Sequence, residues 1–290
     1  MLTQFVGLYV IHAYTPTEKN EQTLPFGLEI PEDETAPNLL SIIISFCLAF
    51  ALIFILMKYR WKFIIRAWFF FVVTLALALA INALIKNQIV NASLVALAFS
   101  LPLAYFKIFK PNFFVHNITE LLIYPGIAAV FVPILSPLSS IILLILISFY
   151  DMWAVWRSGV MQRMAKFQME ELKIFGGFLI PSASKKIKDK IKRIKERYKD
   201  KKMPKKVKNQ KFKINLAILG GGDVVFPIIT AGVFLRAFGI LPAMLITFGA
   251  LAGLTVLFFL TKKDRAYPAM PYITTGIFAG MILGKLLGCF

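Results

Sequence analysis

The chain has 290 residues, 58% of them apolar and 17% charged, with two cysteines, two histidines and a net charge of +18. Soluble domains rarely exceed about 45–50% apolar content, so an ordinary cytosolic globule and a disordered chain are both excluded. Two cysteines are too few for a disulfide scaffold, and His12 and His116 are poor provision for a transition-metal site, so neither a metal nor an organic cofactor is expected.

The first predicted element, 2–14, is apolar but short, without the basic start or the small-residue cleavage site of a signal peptide. It reads as a first membrane span. A span needs roughly 20 apolar residues to cross about 30 Å of hydrocarbon. Eight further candidates follow at 38–57, 66–85, 89–106, 118–135, 137–156, 214–238, 240–260 and 270–289. The expected fold is therefore an all-α polytopic membrane protein with about nine transmembrane helices. Its expected divisions are an N-terminal bundle of about five helices (1–135), a sixth helix with an amphipathic extension (136–175), a basic loop (176–213) and a C-terminal three-helix unit (214–290).

The loops between spans carry an orientation signal. Lys58, Arg60, Lys62 and Arg66 follow the second span, Lys107 and Lys110 the fourth, and Lys262, Lys263 and Arg265 the eighth. Sixteen of the 33 Lys and Arg lie between Lys185 and Lys213, after the sixth span, opposed only by Asp189, Glu196 and Asp200. The alternate loops are nearly free of basic residues. The positive-inside bias then predicts a cytoplasmic N-terminus and basic loop, with the C-terminus outside. Ile187, Ile191, Ile194 and Tyr198 form a helical seam in that loop, which suggests contact with anionic lipid. Aromatics are nearly absent there and no fold motif accompanies the charge, so nucleic acid is not an expected partner.

Thirteen of the fifteen acids read as lying in loops or at span ends, and only Asp151 and Asp223 read as lying well inside apolar segments. A carboxylate in the bilayer costs at least about 2.5–3.5 kcal/mol, which makes both functional candidates. They lie on consecutive, antiparallel spans and can meet at similar depth. Two carboxyl groups close together in a poorly solvated site cannot both ionise, so one retains its proton. An ionised carboxylate beside a protonated one is the working state of an aspartic protease: the first takes a proton from water, the second donates to the peptide carbonyl. The same pair is compatible with a proton or cation site in a transporter, or with a bond between helices.

Gly220, Gly221 and Gly222 stand directly before Asp223. Three glycines disfavour helix by about 1 kcal/mol each and allow another backbone to come close. Gly276, Gly280, Gly284 and Gly288, spaced by four, read instead as a helix-packing stripe. Pro268-Ala269-Met270-Pro271 begins the last span, where two prolines disfavour regular helix and leave backbone groups unpaired. Tyr150 precedes Asp151 and is compatible with a bond in the site or with helix packing. His12 and His116 have no visible partner constellation and are given no role.

Tyr150-Asp151, Gly220-Gly221-Gly222-Asp223 and Pro268-Ala269-Met270-Pro271, in this order on late helices, resemble the motifs of the presenilin and signal peptide peptidase family of intramembrane aspartyl proteases. Their usual form is Tyr-Asp, Gly-x-Gly-Asp and Pro-Ala-Leu, and Met270 in place of Leu conserves volume. The compact size is most similar to the archaeal presenilin homologues. The resemblance implies nine spans, a catalytic pair Asp151 and Asp223, active-site backbone at Tyr150 and Gly220 to Gly222, and substrate contact at Pro268, Ala269, Met270 and Pro271. The implied activity is hydrolysis of peptide bonds within transmembrane segments of membrane proteins. The alternatives are a preflagellin or prepilin peptidase with the same Gly-x-Gly-Asp chemistry and a cation-coupled transporter. After Trp156, Met161, Met164, Gln168, Leu172 and Phe175 keep helical spacing and predict an amphipathic extension at the inner interface.

Overall fold

The computed structural model describes residues 1–15, 41, 44, 45, 48, 51, 52, 55, 61–86, 88–158, 176–182, 215–260 and 267–289. Its helices are α1 (Leu2–Tyr14), α2 (Lys62–Ile85), α3 (Ala92–Phe109), α4 (Phe113–Phe131), α5 (Pro137–Trp153), α6 (Gly222–Phe238), α7 (Ile240–Leu260) and α8 (Met270–Leu286). The second expected span, the acidic segment after α1, the amphipathic extension beyond Ser158 and the Lys-rich seam lie outside the described residues, apart from single positions in that second span. Each helix label consequently runs one behind the corresponding span from the third onward.

Among the described residues, five helical stretches are long and apolar enough to cross a bilayer: Lys62–Ile85, Ala92–Phe109, Phe113–Ile134, Pro137–Arg157 and Ile240–Leu260. α6 and α8, each of 17 residues, extend about 26 Å at 1.5 Å per residue. Large apolar side chains face outward, among them Phe63 at 83% and Phe259 at 87% exposure. Such a surface would be costly in water and is at home in lipid.

Local signals set several helix starts. The Asn112 side chain accepts from the Phe114 N–H at 3.3 Å and opens α4. The Ser136 hydroxyl accepts from the Ser139 N–H at 3.1 Å, with a proline at the first turn of α5. These side chains occupy amide donors that a helix start leaves unpaired. α4 thus begins five residues before the predicted start at 118, and Glu120 lies two turns inside it.

Two departures from the all-helical expectation concern the segments around the basic loop. Gly177–Ser182 forms strand β1 and Asn215–Gly220 forms β2, paired antiparallel in the register Gly177↔Gly220, Phe178↔Leu219 and Leu179↔Ile218. Hence 176–213 is not a loop throughout, and 214–238 is not one continuous helix. A short apolar run such as Leu216–Leu219 fits strand or helix equally by pattern. The glycines that follow withdraw helix propensity, and the partner strand decides.

α1 packs against α4 and α6, α2 against α3 and α4, and α7 along α8. Leu8 and Ile11 of α1, Ala128 of α4, Ile228 of α6, Ile246 of α7 and Ile273 of α8 belong to the main buried cluster. A second cluster joins Ile65 and Leu77 of α2 to Ile108 of α3 and Ile123 of α4. The end of α1 is tied to α2: the Tyr14 hydroxyl donates to the Leu79 carbonyl at 2.8 Å and accepts from Asn82 Nδ2 at 3.0 Å. Lys86 Nζ donates to the Ala13 carbonyl.

The α7–α8 contact is made by glycines. A Cβ on Gly276 would lie 2.1 Å from the Gly249 carbonyl oxygen, and one on Gly280 would lie 2.4 Å from that of Leu245. Only hydrogen fits between these backbones, as in small-residue packing of membrane helices. The packing assignment of Gly276 and Gly280 is therefore borne out. Gly288 meets nothing within 4 Å and lies beyond the contact.

Candidate active site

Asp151 sits near the end of α5, just before a π-helical turn over Ala154–Ser158. Its Oδ2 accepts from the Met270 N–H at 3.0 Å. The Ala269 backbone amide is a second donor to the same carboxylate. The cause is local. A helix start leaves its first amides unpaired, and Pro268 and Pro271 bracket the start of α8 so that Ala269 and Met270 present theirs. Ala269 and Met270 are buried. The Pro-Ala-Met-Pro segment is thus a helix entry whose free donors meet a carboxylate from another helix. One turn earlier, the Ser148 and Thr274 hydroxyls share a hydrogen bond of 2.7 Å that joins α5 to α8 again.

Asp223 lies in the first turn of α6. Its carboxylate contacts the Gly220 backbone, and Asp151 is its charged neighbour. Gly220 ends β2, Gly221 is the helix N-cap, and Gly222 begins α6, so the chain changes from strand to helix within the glycine triplet. A Cβ on Gly220 would lie 3.0 Å from Asp223 Oδ2, and one on Gly221 would lie 3.0 Å from both Cε1 and the hydroxyl of Tyr124. At Gly222 the nearest atom would be 3.6 Å away, an ordinary contact with Phe226. The close approach that glycine permits is therefore used at the first two positions. Gln4 Nε2 of α1 donates to the Val224 carbonyl at 3.2 Å and steadies the same turn.

Tyr150 is 45% exposed, its ring 6.2 Å from that of Trp153. The tyrosine buried at this site is Tyr124 of α4, packed between Gly221 and the Phe178 ring at 5.7 Å, with Glu120 and Asp223 as charged neighbours.

Sequence reasoning missed a polar cluster beside Tyr124. Glu120 is 1% exposed, so it is a third acid inside an apolar helix rather than one at a span end. Lys107 Nζ of α3 lies 2.5 Å from Glu120 Oε1 and 3.4 Å from His116 Nδ1. His116 Nε2 bonds the Gly177 carbonyl at 2.8 Å, and the Gly177 N–H donates to Glu120 Oε1 at 3.4 Å. Asn117 takes both backbone groups of Leu179, donating to its carbonyl and accepting from its N–H, each at 3.0 Å. His116 therefore has a partner constellation after all. The i, i+4 pair His116 and Glu120, with Lys107 nearby in sequence, was the available signal. Among the described residues, no group of three or more His, Cys, Asp or Glu side chains is arranged to hold a metal ion.

A search of curated proteins finds no match for this chain. Among solved structures, a presenilin family intramembrane aspartate protease in a C222 crystal form is similar over 99% of this chain and 95% of that one, with 18% identity and a TM-score of 0.60. A presenilin family intramembrane aspartate protease in a P2 form is similar over 99% and 94%, with 19% identity and the same TM-score. At these identities the likeness establishes the fold, with its several membrane-crossing helices. The family model described as "Signal-peptide peptidase, presenilin aspartyl protease" matches residues 6–289, nearly the whole chain. The chain belongs to this family and is an aspartic-type intramembrane endopeptidase, a multi-pass membrane protein.

Proposed function

We propose that Asp151 and Asp223 are the catalytic dyad and that the substrate is a peptide bond within a transmembrane segment of another membrane protein. One observation supports this reading above the rest. Two aspartates remote in sequence stand near enough for Asp151 to act electrostatically on Asp223, and Asp151 is held by the backbone amides of Ala269 and Met270.

In this reading the ionised carboxylate accepts a proton from water as the water oxygen bonds to the peptide carbon. The protonated partner donates to the carbonyl oxygen. Collapse of the tetrahedral intermediate breaks the C–N bond, and a dyad proton goes to the leaving amine. Water is the nucleophile and no cofactor takes part. A substrate helix hides its peptide bonds in internal hydrogen bonds, so it unwinds before attack. The freed backbone then needs partners, which an irregular or extended edge supplies by strand addition. The β2 segment before Asp223 and Pro268 to Pro271 are the proposed edges. The reading further takes the chain to have nine spans, the N-terminus and basic loop to be cytoplasmic with the C-terminus outside, and anionic lipid to meet the Lys-rich segment. By analogy with presenilin, membrane segments in type I orientation are the preferred substrates.

Detergent-solubilised protein and a tagged transmembrane peptide test the dyad. Product from wild type, with none from folded Asp151→Ala or Asp223→Ala, is the expected result. Cleavage that persists in either variant refutes it.

A further inference from the structure

The outer edge of β1 is not open. In an antiparallel pair, alternate residues direct both backbone groups to the partner strand, and the residues between direct both away from it. Gly177 and Leu179 are two such successive outward positions. The N–H and C=O of Gly177 go to Glu120 and His116, and those of Leu179 go to Asn117. Each of these four groups meets a side chain of α4. One helix face thus satisfies the strand edge as a third strand would.

The side chains in this row are themselves fixed. Glu120, His116 and Lys107 are each no more than 6% exposed. Buried charges persist only when paired, and Lys107 pairs with Glu120 at 2.5 Å. With the His116 Nε2–H donating to Gly177, its Nδ1 accepts from Lys107. The cluster then balances, one cation against one carboxylate with a neutral imidazole between them.

This row lies one residue pair from the candidate dyad. Gly177 pairs with Gly220, and Gly220 contacts the Asp223 carboxylate. Tyr124, one turn beyond Glu120 on α4, packs on Gly221. We propose that His116, Asn117 and Glu120 are positioning residues: they take the place of a third strand along β1 and, through the Gly177–Gly220 pair, set where the Asp223 carboxylate stands. This rests on the dyad reading above, and none of the three touches the reacting atoms.

The test is steady-state cleavage of a tagged transmembrane peptide by full-length protein, with backbone hydrogen exchange on the same samples. Asn117→Leu removes both bonds to Leu179, whereas Asn117→Asp keeps the acceptor and loses one donor. Expected is a kcat at least tenfold lower for Asn117→Leu and a smaller loss for Asn117→Asp. KM should stay within about twofold and the thermal midpoint near wild type, while exchange at Leu179 and Leu219 quickens in the same order. A purely structural role lowers activity only as far as the folded fraction falls and leaves this split unseen. Faster exchange at both amides with unchanged kcat overturns the proposal, as does unchanged exchange. Should Asn117→Leu not fold, the same criteria apply to Asn117→Asp and to Glu120→Gln paired with Lys107→Met, which keeps an acceptor for Gly177 without a lone charge. Asp223→Ala in parallel separates the two claims. If it cleaves like wild type, the dyad reading fails and this proposal fails with it. If it is inactive while Asn117→Leu is as active as wild type, only the positioning role fails.

Discussion

Gly276→Ala adds one methyl group where α8 touches α7. The added Cβ would stand 2.1 Å from the Gly249 carbonyl oxygen. Ordinary contact begins near 3.4 Å, so the helices must part by about 1.3 Å. Neither side has a rotamer to yield, since the carbonyl oxygen is backbone and the Cβ is fixed rigidly to its own backbone. Overpacking of this kind costs about 1–3 kcal/mol, offset by at most about 1 kcal/mol of gained helix propensity. The larger effect falls on the site. The Met270 N–H lies 3.0 Å from Asp151 Oδ2, and a rigid shift of α8 by about 1 Å carries it beyond useful hydrogen-bond range. Misplacement of about 1 Å in a catalytic constellation can cost on the order of 10²-fold in rate. Expected for Gly276→Ala is therefore a thermal midpoint lower by a few degrees and a cleavage rate reduced ten- to hundredfold. Gly176→Ala, whose Cβ would meet nothing within 4 Å, serves as the control and should behave as wild type. Wild-type stability and cleavage in Gly276→Ala would show that the helices have slack at this contact, and the link from α7 through α8 to Asp151 would fail.

The glycine triplet should respond unevenly. Gly221→Ala should reduce cleavage strongly, because its Cβ meets Tyr124 at 3.0 Å, whereas Gly222→Ala, with an ordinary 3.6 Å contact, should keep most activity in the same peptide assay. Ser148→Ala and Thr274→Val should each cost about 1 kcal/mol, and the double variant little more than either alone, as a double-mutant cycle of unfolding in detergent would read. Lys107→Met should lower stability by about 3–5 kcal/mol by leaving Glu120 buried and unpaired. Adding Glu120→Gln should return most of that loss, and a double variant no better than the single would disprove the pairing argument.

Much of the helical framework was legible in the chain, because apolar runs near membrane length have few other readings. Asp151, Asp223 and the Pro-Ala-Met-Pro segment also stood out, since acids and paired prolines are conspicuous in such runs. The β1–β2 ribbon was not legible. Its pairing joins Gly177 to Gly220 across the whole basic segment, and neither strand carries a local alternation that demands a partner. Glu120 reads as a span-end acid only because the apolar pattern starts its span at 118. The cap Asn112, a recognisable start signal, places it earlier and moves Glu120 inside. The His116 constellation is only half legible: the i, i+4 spacing to Glu120 and the nearby Lys107 are visible in the chain, whereas the Gly177 carbonyl that takes its other ring nitrogen comes from a strand 61 residues away.

The hydrogen bonds from Ala269 and Met270 give Asp151 a second occupation. α8 has no cap from its own sequence, and a carboxylate from α5 performs that service in trans. Loss of a capping side chain costs about 0.5–2 kcal/mol. On the proposed reading, the same oxygen atoms exchange protons during each turnover, and a neutral acid is a weaker acceptor than a carboxylate. The start of α8 would then be gripped and loosened in step with the chemistry. Product departure past Pro268–Pro271 would have a built-in moment of slack, timed by the protonation state of one side chain.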